Sequence, residues 1–276
     1  MTNSKLKYRF QKLRRFISCH WSVAINRAFN ATVRQQIKNP KTIPIVIISY
    51  NQLEHLKKLI NALKHRGYQN IVILDNASTY PPLLEYFDTI SNSVEIHKLK
   101  SNDGHLSFWK NPDITKQYTR GYYVVTDPDI VPLEECPEDF MHTFRALLDK
   151  AYDVTKVGFS LKIDDIPNTN PNKENIENWE SQFWNYKPNP KAYKAEIDTT
   201  FALYRPKYTY KKKRFTKAWR TDQPYQASHG SWYIDINALT EEQEYYMKTA
   251  NESASWQIDS EGELVNKVHK SIYTND

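Results

Sequence analysis

Two aspartates one residue apart, Asp127 and Asp129, close an apolar run from Tyr122 to Val125. Pro128 between them cannot sit in a central strand, so the pair belongs at the end of a short buried strand. In an extended chain residues i and i+2 project to the same side, so both carboxylates aim at one point. That point lies outside the carboxyl end of a strand, where open α/β sheets bind ligands. Like charges this close repel unless a cation sits between them. Hard oxygen donors suit Mg2+ or Mn2+, ions that share their shell with substrate phosphates.

The elements that must position this pair follow from the pattern around it. Ile43 to Ile48 reads as a buried strand of the parallel type and ends in Ser49, Tyr50 and Asn51. Helical spacing from Leu53 to Arg66 is closed by Gly67 as a C-terminal cap. Ile71 to Leu74 is a second strand, ending in Asp75, Asn76, Ala77 and Ser78, and Pro81 and Pro82 open another helix to Ile90. Val94 to Leu99 is a weaker third strand, followed by Asn102, Asp103, Gly104 and His105. This β-α-β-α-β order, with polar residues at each carboxyl end, predicts a mostly parallel sheet flanked by helices.

Composition narrows the classes. The 276 residues are 39% hydrophobic and 13% aromatic, enough for one large domain with a sizeable core. Only 6 glycines are present and no glycine-rich phosphate loop. Cys19 and Cys136 lie far apart without metal-like spacing, which predicts free thiols in a reducing compartment. No stretch is apolar enough to span a membrane, and the N-terminus lacks the apolar core of a signal peptide. Residues 1–40 hold nine Lys and Arg and no acid, so the rest of the chain is net acidic although the whole carries +6. An overall pI near 9.0 therefore does not indicate nucleic acid.

In this head, Leu6, Phe10, Leu13, Ile17, Trp21, Ala24 and Ala28 form one apolar stripe on a predicted helix. Two readings fit it: a helix lying on an anionic membrane surface, or one packed on the body or on a second subunit. The second half offers a strand from Thr155 to Lys162, then a polar and aromatic stretch over 168–194, read as an acceptor-facing insertion or a helical core. Asp198 to Tyr204 reads as the last clear sheet strand. Lys207 to Arg214 is a basic run, either a solvated loop, a lid over donor phosphates or a contact with a lipid pyrophosphate. His229 stands beside Gly230 and Ser231 before an aromatic, strand-like run, and Glu241 to His269 reads as an amphipathic helix.

Four of these pieces together resemble the GT-A-fold glycosyltransferases, family 2 in particular: Ile45 to Asn51, Ile71 to Ser78, the turn from Asn102 to His105, and Asp127-Pro128-Asp129 as the D-x-D. The resemblance covers roughly residues 43–135. It implies a GT-A domain over 41–276, with a nucleotide-sugar-binding half at 41–135 and an acceptor-binding half at 136–276, behind a basic helical segment at 1–40. By that resemblance Ser49, Tyr50, Asn51, Asp75, Asn76, Asn102, Gly104, His105 and Asp127 face the nucleotide-sugar. Asp127, Asp129 and a late His229 hold Mn2+ or Mg2+.

An inverting transferase also needs a carboxylate to take the acceptor's proton. Asp198 is nominated as base or acceptor ligand, with Asp222, Asp164 and Asp165 as competitors; the family's Glu-Asp pair has no matching place here. The implied activity is metal-dependent transfer from a nucleotide-sugar, a UDP-sugar by analogy, to a glycan or lipid-linked glycan. The implied setting is surface polysaccharide synthesis at the cytoplasmic face of a bacterial membrane. The alternatives are a catalytically degenerate sugar- or nucleotide-binding module, a nucleotidyltransferase, or a D-x-D phosphatase. For the phosphatase, Ile130 stands where a small turn residue is wanted.

Overall fold

The apolar runs of the first half become the parallel half of an eight-stranded sheet in the computed structural model, which describes residues 3–251, 254–267 and 270–271. β1 (Ile45–Ser49), β2 (Ile71–Asp75), β3 (Glu95–Lys98) and β4 (Tyr123–Thr126) lie in the order β3-β2-β1-β4, all parallel. Side chains alternate between two cores. Ile45, Ile47, Ile71, Ile73 and Val124 enter one, and Val46, Ile48, Val72, Leu74 and Val125 the other. Each is at most 5% exposed, which is why these strands read as unbroken apolar runs rather than as alternation.

Helices fill both faces. α1 (Asn3–Phe29) and α2 (Ala31–Lys38) precede β1. α3 (Leu53–His65) and α4 (Pro81–Ile90) connect the first three strands, and the short α5 (Ser107–Lys110) and α6 (Pro112–Tyr118) lead into β4. The expected cap at Gly67 is there: φ is +78°, Gly67 N–H donates to Lys64 C=O (2.9 Å) and Tyr68 N–H to Leu63 C=O (3.0 Å). This is the paired closure that glycine alone adopts without strain. α2 is fastened to β4, because the Gln36 amide accepts from Tyr122 N–H (2.7 Å) and donates to Tyr122 C=O (2.8 Å).

The second half continues the sheet in mixed directions. After β4 come β5 (Ile130–Pro132), α7 (Phe140–Lys150), β6 (Lys156–Gly158), β7 (Ser160–Leu161), α8 (Lys173–Ser181), β8 (Ala192–Glu196), β9 (Ala202–Tyr204), β10 (Lys217–Thr221), β11 (Gln226–His229) and α9 (Glu241–Thr249). The main sheet runs on from β4 as β9-β6-β10-β8, and β5-β11-β7 form a small second sheet. The strand at 202–204 is thus not the last: β10 follows it in the same sheet. Alternation in β10 is broken by Trp219 and Arg220, both buried, so no simple pattern announces it. The aromatic residues after His229 form a 3-10 turn (Gly230–Trp232) instead of a strand. The C-terminal helix ends at Thr249, after which Ile258 and Leu264 pair in a short bridge; Val268 and His269 lie outside the described residues.

Candidate active site

The parallel strands all end at one edge, and a cavity of about 430 Å³ opens there. Tyr50, Asn76, Asn102, Gly104 and His105 line it together with Asp127, Asp129, Asp198 and His229. Asp198 is near enough to Asp127 for their charges to interact. Ser49, Asn51, Asp75 and Asp222 are not on its wall. Asn51, in the left-handed region at φ 48°, spends its side chain on the neighbouring loop. It accepts from Thr79 N–H (2.8 Å) and Tyr80 N–H (3.0 Å) and donates to Thr249 Oγ1 (2.9 Å). Asp75 is buried and accepts from Ser78 N–H (3.1 Å), its carboxyl held above the usual range by burial. Asp222 is ion-paired with Lys187, and Asp165 accepts from the Tyr233 hydroxyl.

β5 and β11 bring the D-x-D and His229 together. Their antiparallel register sets His229 opposite Ile130, one residue past Asp129, and Gly230 N–H donates to Asp129 C=O (2.7 Å). Any side chain at 230 would meet the His55 ring of α3, so glycine leaves room for that imidazole beside the end of β11. Asp129 Oδ2 accepts from Ser231 N–H (3.3 Å) and the Ser231 hydroxyl, and His229 Nδ1 lies 3.2 Å away. The His229 ring stacks on Trp232 with centroids 4.5 Å apart. Burial alone would raise Asp129, but His229 and His55 beside it hold its carboxyl below the usual range. Asp127 accepts from Thr199 Oγ1 (2.7 Å) and goes the other way: burial, then Asp129 and Asp198, push it well above the usual range.

Four residues here escaped the sequence reading. His55, near the start of α3, is held below its ordinary pKa by burial. Lys156 opens β6 and is fully buried, its Nζ donating to Asp198 C=O and to the Tyr204 hydroxyl (2.9 Å) and lying 3.8 Å from the Phe215 ring centroid. Burial lowers it to about 7. Glu242 of α9 takes the place of a cap on α3, accepting from Glu54 N–H (3.1 Å), while Tyr246 of the same helix joins the cavity wall. Only proximity in sequence could have flagged another neighbour, Ser231, from His229. The others come from parts of the chain that meet only in the fold.

The donor set tests whether a divalent cation fits. Asp127 and Asp129 repel each other, Asp198 adds a third carboxylate, and an imidazole stands alongside, a hard-donor set that a divalent cation would neutralise. Among the described residues no three His, Cys, Asp or Glu already converge as a metal group. By charge and by type, Asp127, Asp129 and His229 suit such an ion. The basic run does not reach this cavity: Lys207, Lys211 and Arg214 line a different hollow, so a lid over donor phosphates is corrected here.

The chain matches no protein-family profile and no curated protein. Among solved structures it is similar to S. aureus TarS 1-349, with 14% identity over 74% of this chain and 68% of that one, at a TM-score of 0.42. The mannosyltransferase PcManGT from Pyrobaculum calidifontis, in complex with GDP-Man and Mn2+, is 11% identical over 88% and 72%, also at 0.42. A cytidylyltransferase from Leptospira borgpetersenii is 12% identical over 85% and 98%, at 0.39. At overlaps this low, nothing about this chain's chemistry follows from them.

Proposed function

We propose that this chain is a metal-dependent GT-A-type glycosyltransferase, moving a sugar from a nucleoside-diphosphate donor to a hydroxyl of a glycan or lipid-linked glycan. One observation carries the reading. The D-x-D pair stands at the carboxyl edge of parallel strands, inside a cavity that Asp198 also lines. In this reading the nucleoside lies against Tyr50, Asn76, Asn102 and His105, and Asp127 faces its ribose. Asp127 would also join Asp129 and His229 in holding Mn2+ or Mg2+, which when bound would neutralise the charge growing on the departing diphosphate. Asp198 accepts the proton of the attacking hydroxyl at its carboxylate, oriented by Thr200 N–H on Oδ1 (3.3 Å). Trp179 and Phe183 offer aromatic faces to acceptor sugar rings. A UDP-sugar donor, inversion at the sugar and a role in surface polysaccharide synthesis belong to the same proposal, on the strength of the family 2 resemblance.

A thermal-shift panel of nucleoside diphosphates and nucleotide-sugars, each with and without Mn2+, tests it. A native-state ligand raises stability by about 2.7 kcal/mol at a hundred times its Kd. The expected result is a shift that needs both Mn2+ and one nucleotide base and that disappears in Asp129→Asn, with donor turnover falling at least about a hundredfold. No shift with any nucleotide overturns the reading. Binding that survives without turnover on any acceptor supports a degenerate module instead.

A further inference from the structure

A second hollow, of about 510 Å³, lies between α1 and the segment after β9. Arg14, Arg15, Arg205, Lys207, Lys211 and Arg214 line it, and no Asp or Glu does. Arg205 is spent on structure, donating to the carbonyls of Leu148 and Ala151. Arg14, Arg15, Lys207 and Lys211 enter no ion pair among the described residues. Arg214 Nε is buried there without a hydrogen-bond partner among them. A buried donor and a ring of uncompensated cations make a place for an anion.

Topology sets this hollow apart from the cavity. β9 runs antiparallel to β4 with Tyr204 opposite Tyr123, so the chain leaves β9 at the edge where β4 begins. Thr155, on the hollow's wall, enters β6 at that same edge. The basic hollow and the D-x-D therefore occupy opposite edges of one sheet.

The outer face of α1 is the second observation. Leu6 (60% exposed), Phe10 (68%), Leu13 (55%), Ile17 (47%) and Trp21 (65%) form its apolar stripe and touch solvent, while Phe16 and Arg27 bind the helix to Tyr152 and Asp149. Gln11, Arg14, Ser18 and Ser22 of the hollow each follow a stripe residue by one position, so the two are adjoining faces of one helix. A second copy is a poor cover, because two heads with nine Lys and Arg and no acid in residues 1–40 would repel. A polyanion without an apolar phase leaves the stripe wet. An anionic bilayer satisfies both faces at once.

We propose that α1 and the adjoining hollow form a docking surface for a bilayer containing anionic phospholipid, the stripe entering the headgroup boundary and the hollow holding a lipid phosphate. The test is co-sedimentation of the full chain with vesicles of phosphatidylcholine, alone or partly replaced by phosphatidylglycerol. Binding is expected only with phosphatidylglycerol. The triple change Arg14→Gln, Lys207→Gln and Lys211→Gln should weaken it on the order of a hundredfold, at roughly fivefold per charge. The same number of charges removed at Lys58, Lys100 and Lys191, exposed and outside the hollow's lining, should change it far less. Ile17→Ser with Trp21→Ser should abolish it. Equal loss in both triples overturns the hollow as a site, and equal binding to pure phosphatidylcholine overturns the electrostatic part. A dimer that the serine variants dissolve, without vesicle binding by the parent chain, assigns the stripe to a second copy and overturns the proposal. Nucleotide-dependent stabilisation should be unchanged in all hollow and stripe variants, which keeps this outcome separate from that of the transferase reading.

Discussion

The two halves of the main sheet handle charge in opposite ways. In β1, β2 and β4 the interior is aliphatic or aromatic, and the one ionisable carboxyl among them, Asp75, stands at a strand's end. The mixed half buries two cations, Lys156 at the head of β6 and Arg220 near the end of β10, both 6% exposed or less. A carboxyl at the ligand-binding edge can be met by ligand, ion or water, whereas a cation buried among protein atoms must bring its partner with it. Lys156 donates to Asp198 C=O and feels the charges of Asp198 and Asp127, while Arg220 is held by Glu180, by Glu196 C=O (2.8 Å) and by the Phe183 ring on the cavity wall. The mixed half thus supplies the buried positive charge that the acidic edge of the parallel half lacks.

The widest gap between the halves should appear when one buried partner is removed. Glu180→Gln leaves Arg220 charged and buried, a change of the kind that costs about 3–5 kcal/mol. Joint replacement by Leu at 180 and Met at 220 should recover most of it, since an apolar pair of similar volume needs no partner. Asp75→Asn, at a strand end in the parallel half, should cost less than about 1 kcal/mol, because burial already favours its protonated form. Chemical denaturation of the four proteins measures this. Similar losses for Glu180→Gln and Asp75→Asn would erase the distinction.

Lys156 sharpens the comparison through pH. Its folded pKa is lowered by burial to about 7 from 10.5, so between those values the unfolded chain binds the extra proton. The cost of burying this charge is therefore fully present below about pH 7 and is relieved as pH rises toward 10.5. Stability should climb by up to about 1.4 kcal/mol per pH unit in that window, and Lys156→Met should remove the climb. Unfolding free energies taken every half unit decide it; parallel curves for the two proteins would mean that Lys156 is charged and compensated throughout.

The same contrast decides how much was legible beforehand. The parallel half could be read because strands covered on both faces must be apolar throughout, and because its turns carry the residues that end such strands, Asn51, Asp75 and Pro128, and the glycine that ends α3, Gly67. The D-x-D and its place at the strand ends followed directly. In the mixed half the strand expected over 155–162 is split into β6 and β7, the one expected over 198–204 shrinks to β9, and β8 and β10 were not read at all, β10 having a buried arginine where a core residue would be expected. Lys156 looked like an ordinary polar position between Thr155 and Val157. His55 and Glu242 matter only through contacts between segments far apart in sequence. The basic run after β9 was visible, but the edge of the sheet it occupies depends on the antiparallel direction of β9, which no local pattern encodes.

Asp127 is where the halves meet, and the smallest expected effect tests that meeting. Its carboxyl is raised by burial and by the neighbouring Asp129 and Asp198, so the folded chain binds a proton that the unfolded chain has released. Stability then falls as pH rises from the ordinary carboxylate range toward the folded value, and above it the full cost of ionisation is present. Asp127→Asn keeps an acceptor for Thr199 and cannot ionise, so without divalent ions it should melt above the parent chain, by about 2–4 °C per kcal/mol relieved. With excess Mn2+ the order should reverse. The parent gains the binding free energy of the ion, while the variant has lost one of the groups proposed to hold it. Two melting curves for each protein, with and without Mn2+, make the test. A variant that melts below the parent in the absence of metal would mean that Lys156 already compensates Asp127, leaving no uncompensated negative charge at this edge for a cation to relieve.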